Sequence, residues 1–197
     1  MLGVLLLAAC DQGGSADEAP PAEFTASFTR EPYALTIDYT LRNTGDDPLV
    51  VYNGVVGEGG FGPPTADAVY ITPGADGTVQ IAKRVFDAPA GVDPQARALI
   101  RGEIVPPGGK VAERVRVALP LTPSHPYGSD QAGRLPDPAR RVMFCVGAAS
   151  QREFPERLRN GIPRPGQSPT PSPGRYGDFT HPSPQHLYCS EVYDLGS

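Results

Sequence analysis

The chain predicts an all-β fold, an antiparallel β-sandwich, and three observations carry that expectation. With 24 Pro, 23 Gly and no Trp among 197 residues, the composition resists long helices and favours short strands joined by turns. In Leu35-Thr36-Ile37-Asp38-Tyr39-Thr40-Leu41-Arg42, apolar and polar residues alternate strictly, which places one set on a buried face and the other in water. Similar apolar runs recur along the chain between clusters of turn formers, at the spacing of sandwich strands.

Phe24 to Thr29 opens the series, followed by the alternating strand Leu35 to Arg42. Asn43-Thr44-Gly45-Asp46-Asp47-Pro48 is rich in turn formers and precedes the β-prone run Leu49-Val50-Val51-Tyr52, so the two strands are expected to pair as a hairpin. Strands are next expected at Ala68 to Thr72 and Thr78 to Phe86, separated by Pro73-Gly74-Ala75-Asp76-Gly77, and at Leu99 to Val105. Pro106-Pro107-Gly108-Gly109 makes a tight reversal into Lys110 to Leu119. There Val111, Val115, Val117 and Leu119 share a face, Arg114 and Arg116 point the other way, and Glu113 is a misfit on the apolar side. Arg141 to Val146 and His186 to Ser190 complete a count of about eight or nine strands. Thr122 to Arg140 and Gln151 to Pro184 are long, Pro-rich and weakly periodic, with room for a helical turn at Arg152 to Arg159. Loops of that length inside a compact domain are usually functional or disordered.

Charge narrows the partners. The net charge of -5 comes from interspersed acids and bases, with no block of Lys or Arg to neutralise phosphates, so nucleic acid and anionic membrane are poor electrostatic partners. One folded unit is expected from this length.

The first ten residues carry an address. Val4 to Ala9 is apolar, too short to span a bilayer, and the chain turns abruptly polar at Asp11. Leu7-Ala8-Ala9-Cys10 resembles the lipobox of bacterial lipoprotein signal peptides. That resemblance implies cleavage before Cys10, acylation of its thiol and amine, and attachment to the cell membrane or outer membrane. The basic n-region usual in that family is missing, so either the amino terminus supplies the charge or translation starts upstream of Met1. Residues 1–9 are then the signal, 10–23 the lipidated Cys and a solvated tether spanning roughly 20 Å, and 24–197 a single domain. With Cys10 acylated, Cys145 and Cys189 remain as a pair. In an oxidising envelope a disulfide is the default, worth about 4 kcal/mol in the chain-entropy relation; the alternative is two buried reduced thiols.

A second resemblance concerns the fold. The run Leu35-x-Ile37-x-Tyr39-x-Leu41-x-Asn43-x-Gly45, an apolar return strand and the later Pro107-Gly108-Gly109-Lys110 turn resemble bacterial immunoglobulin-like envelope domains. They are similar, more faintly, to BsuPI-type proteinase-inhibitor domains. The likeness specifies turns and implies an immunoglobulin-like sandwich.

Catalytic chemistry finds little in the residues. Ser124-His125 with Ser129-Asp130 is the best Ser/His/Asp cluster, but neighbours on one loop rarely supply triad geometry, and turn residues are the plainer reading. His181 and His186, with Asp178, could offer metal ligands, although the intervening prolines exclude a helix that would align both rings. Gly57-Glu58-Gly59-Gly60-Phe61-Gly62 lacks the Lys-Ser/Thr of a phosphate-binding loop. No catalytic residue, metal or cofactor is therefore assigned. Phe61, Tyr127, Tyr176 and Phe179 lie in Gly/Pro-rich loops and are the candidate binding residues, because exposed aromatics are what a recognition surface uses. The expected function is a lipid-anchored, non-enzymatic binding or structural module of the cell envelope, with an envelope protein as partner. The competing expectations are an envelope hydrolase and a periplasmic metal-binding protein.

Overall fold

The computed structural model describes residues 18–55, 65, 67–89, 100–154 and 184–196. Among them lie ten strands: β1 (Ala22–Glu31), β2 (Ala34–Asn43), β3 (Leu49–Val55), β4 (Tyr70–Pro73), β5 (Thr78–Lys83), β6 (Ile100–Val105), β7 (Lys110–Ala118), β8 (Arg141–Ser150), β9 (His186–Cys189) and β10 (Tyr193–Asp194). They form a three-stranded sheet ordered β1-β2-β7 and a seven-stranded sheet ordered β4-β5-β8-β3-β6, in which β9 and β10 also pair with β8. The fold is all-β. Ala22 and Glu23, expected in the tether, belong to β1, and Thr44 N–H donates to the Pro21 carbonyl just before it.

The two sheets pack face to face through the alternating residues. Leu35, Ile37, Tyr39 and Leu41 of β2 and Val111, Val115 and Val117 of β7 meet Val51, Ile81, Phe144 and Val146 of the larger sheet in one buried cluster. The Tyr39 and Phe144 rings lie 4.9 Å apart across the interface. The outer face of the small sheet carries solvated ion pairs, Arg114 to Asp38 and Arg116 to Glu31.

The expected β2–β3 hairpin does not form, because β2 pairs with β1 and β7 whereas β3 pairs with β6 and β8. The burial patterns give the reason. β2 alternates and suits a sheet with one wet face, but every residue of β3 is buried, so it needs a position covered on both faces. Asn43 makes the crossing. Its side chain accepts from Gly45 N–H (3.0 Å) and donates to the Asp47 (2.7 Å) and Val105 (2.9 Å) carbonyls. Its main chain exchanges bonds with Gly108 and Gly109, so the second crossing, from β6 to β7, is stitched to the first. That second turn is as tight as expected: Gly109 N–H reaches the Pro106 carbonyl at 2.8 Å and Gly108 has φ +73°, a value that favours glycine.

Other elements shift at their ends. β5 stops at Lys83 instead of running to Phe86, β4 covers Tyr70–Pro73, β8 extends to Ser150, and β10 had no counterpart in the sequence reading. Of the second long loop, residues 151–154 are described; Gln151–Glu153 form one 3-10 turn with a capping box between Ser150 and Glu153. Phe61, Tyr176 and Phe179 lie outside the described residues.

β8 organises the larger sheet. Cys145 pairs with Ala82 of β5 and Cys189 of β9, and Ala148 pairs with Val51 of β3 and His186 of β9. A strand residue has two edges, so β5 and β3 share the edge opposite β9 and hand over near Gly147. A Cβ there would crowd Tyr52 Cδ2 at 3.2 Å and the end of the Gln185 side chain at 2.8 Å, a close approach that suits a glycine. Cys145 and Cys189 are directly opposed and disulfide-bonded.

Candidate functional site

Alternation along β7 turns Glu113 inward with Val111 and Val115, where a carboxylate must be paired. The partner is Lys83, the last residue of β5, whose Nζ lies 2.7 Å from Glu113 Oε2 and is 0 % exposed, against 17 % for the Glu113 side chain. Val79 and Ile81 share its inward face. Tyr39, opposite Glu113 on β2, donates its hydroxyl to the same oxygen and puts its ring 5.4 Å from Lys83 Nζ.

Asn53 completes the centre. It sits at a register shift between β3 and β6, so its carbonyl is outside that ladder and accepts from Lys83 Nζ at 3.0 Å. Its side-chain NH₂ donates to Glu113 Oε1 at 2.8 Å and to Glu103 Oε2 at 2.9 Å. The residue is 1 % exposed and its Oδ1 has no hydrogen-bond partner among the described residues. Glu103 is exposed, so the centre runs from a fully buried ammonium to the surface at β6.

The electrostatics follow from burial. Desolvation lowers the Lys83 pKa, opposed by the hydrogen bond and charge of Glu113. Desolvation, then Glu113, drives the Tyr39 phenol far above its ordinary range. The arrangement joins an amine, a carboxylate and a carboxamide in a water-poor interior.

The residues singled out from the sequence are placed elsewhere. Ser124 forms a β-bridge with Ile71 and its hydroxyl reaches the Val69 carbonyl at 3.5 Å. His125 is buried, packed edge-on against Phe86 at 4.5 Å, and its Nδ1 accepts from Tyr127 N–H; burial and then Arg84 lower its pKa. Tyr127 is half-buried against that ring. Asp130 and Ser129 belong to a 3-10 turn, and Asp130 bonds Gln131. These contacts make the loop a packed corner. His186 bonds Glu153 at 2.8 Å, whereas His181 and Asp178 fall outside the described residues.

A second feature lies at one end of the sandwich. An open groove of about 780 Å³ is lined by Pro32, Tyr33, Leu119, Pro120 and Pro136, with Arg30 and Arg140 beside them. Tyr33 is 82 % exposed. The β1 register sets its place: Ala22 pairs with Asn43 at one end and Glu31 with Ala34 at the other, so the groove lies a full strand length from the point where the chain enters.

Compared with protein families, characterised proteins and solved structures, the chain matches none.

Proposed function

We propose that this protein is a lipid-anchored, immunoglobulin-like recognition module of the bacterial cell envelope that binds its partner without catalysis. The observation that supports this reading best is the placement of the groove. If Cys10 carries the lipid, the chain enters the sandwich beside Asn43, and the groove between Tyr33 and Pro136 lies at the end of β1 farther from that anchored entry. Prolines and a tyrosine form a lining that loses little conformational freedom on binding. The partner that suits it is an envelope protein presenting an extended apolar segment with a carboxylate, since Arg30 and Arg140 outnumber Asp137 at its rim.

The test places a photo-crosslinking amino acid at Tyr33 and, as control, at Thr25 on the exposed face of β1. A discrete adduct through position 33, mapping to an apolar segment with an acidic residue and lost with Arg140→Glu, is expected. Equal labelling from both positions would overturn the groove's role. Separately, Cys10→Ser should move the folded domain to the soluble fraction; lipid still found on that variant by mass spectrometry would refute the anchor.

A further inference from the structure

We infer that Lys83 and Asn53 are the two halves of an internal amide cross-link, formed by transamidation with Glu113 as the proton carrier. The inference is independent of the anchor and of the groove. It stands on the sharing of one carboxylate: Glu113 Oε2 lies 2.7 Å from Lys83 Nζ and Glu113 Oε1 lies 2.8 Å from Asn53 Nδ2. Nζ is also 3.0 Å from the main-chain oxygen of Asn53, so the amine already sits against the residue it would attack. Attack requires the Asn53 side chain to turn Cγ toward Nζ; Nδ2 is held by Glu113 and Glu103, while Oδ1 has no hydrogen-bond partner among the described residues.

The step balances with the groups present. Lys83 Nζ gives one proton to Glu113 and, as a neutral amine, attacks Asn53 Cγ. The C–Nδ2 bond breaks as the Nζ–Cγ bond forms. The proton that Nζ loses on becoming an amide passes through Glu113 to Nδ2, which leaves as ammonia and takes up the first proton as ammonium. No oxidant, metal or cofactor is needed. The surroundings favour each stage. Burial lowers the Lys83 pKa, which favours the amine, and the Tyr39 ring, itself packed on Phe144, lies 5.4 Å from Nζ. The carboxylate is positioned to take and return a proton without moving.

A structural ion pair would show the same burial, so the decisive readout is covalent. The full-length wild-type chain, purified from the cells that produce it and reduced, is digested and examined by mass spectrometry. A branched peptide joining Lys83 to Asn53, lighter than its two parents by one ammonia, is expected. Recovery of both parent peptides unlinked overturns the proposal, whatever any variant does. The folded fraction of Glu113→Gln, with its disulfide closed, should yield the unlinked peptides. A cross-link in that fraction would remove Glu113 from the chemistry. If that variant does not fold, Glu113→Asp serves the same comparison, with slower cross-linking on refolding expected and an unchanged rate counting against the role of Glu113.

Discussion

Asn43 and Asn53 are both buried in the same sandwich, 0 % and 1 % exposed, and they are satisfied in opposite ways. Asn43 spends its side chain on main-chain groups: two carbonyls accept from it, one N–H donates to it, and no polar atom is left over. Asn53 spends its donors on the carboxylates of Glu103 and Glu113, and its Oδ1 has no partner among the described residues. A fully paired amide fixes a chain path and resists change. A half-paired amide between a carboxylate and an amine holds the same side chain in a state from which it can react. Burial alone therefore does not tell an architectural polar residue from a chemical one; the nature of the partners does.

The largest way to break this contrast is at Lys83. Lys83→Met removes a cross-link between positions 30 residues apart, which costs about 3.5 kcal/mol by the chain-entropy relation for covalent links. Adding Glu113→Leu should not restore it. Urea unfolding checks both, and full recovery in the double variant would reduce the centre to an ion pair, because replacing both partners of a buried pair is often neutral.

At the other asparagine, Asn43→Ala strips partners from the Asp47 and Val105 carbonyls and from Gly45 N–H. A loss of about 2–4 kcal/mol is expected, with the intact peptide pattern at Lys83 unchanged. A cost near zero would mean that the two sheet crossings hold without their shared amide.

A smaller effect concerns pH. The folded-state pKa of Tyr39 is raised above its ordinary 10.0, so the unfolded chain releases that proton first. Its stabilising contribution is full below that value and declines as pH rises above it. Melting temperatures measured from about pH 9 to 11 should fall more steeply for wild type than for Tyr39→Phe; parallel curves would place the phenol outside the linkage. The smallest effect is on the outer face, where Arg114 grips Asp38 through two bonds of 2.8 and 3.1 Å in full solvent. Arg114→Ala should leave the unfolding midpoint unchanged.

What could be found in the sequence divides along physical lines. Alternation reports which residues face a core, so β2, β7 and most other strands were legible, and Glu113 stood out as a charge on the wrong face. Its partners were hidden by strand ends. Lys83 looked like the middle of a strand running to Phe86, and Asn53 fell just past the expected end at Tyr52. An inward lysine on the face of Val79 and Ile81 was the available signal, to be matched with the inward glutamate of β7. Pairing between sheets leaves no local mark, which is why the β2–β3 connection was mistaken for a hairpin. The pairing of Cys145 with Cys189 could be deduced on the expectation that Cys10 is acylated, which leaves two cysteines.

The handover on β8 also bears on the order of events in time. β5 and β3 do not form a ladder with each other; each is joined to the sheet through β8. Until residues 141–150 have been made, the larger sheet exists as two separate pieces, the β4–β5 hairpin and the β3–β6 pair. The small sheet is already complete by Ala118. A growing chain thus carries a finished three-stranded layer with no full surface to rest on, and its apolar face stays open to water and to other chains. Arrival of one late strand closes both layers together, so the interval between Ala118 and Ser150 is when a newborn molecule is most prone to stick to its neighbours.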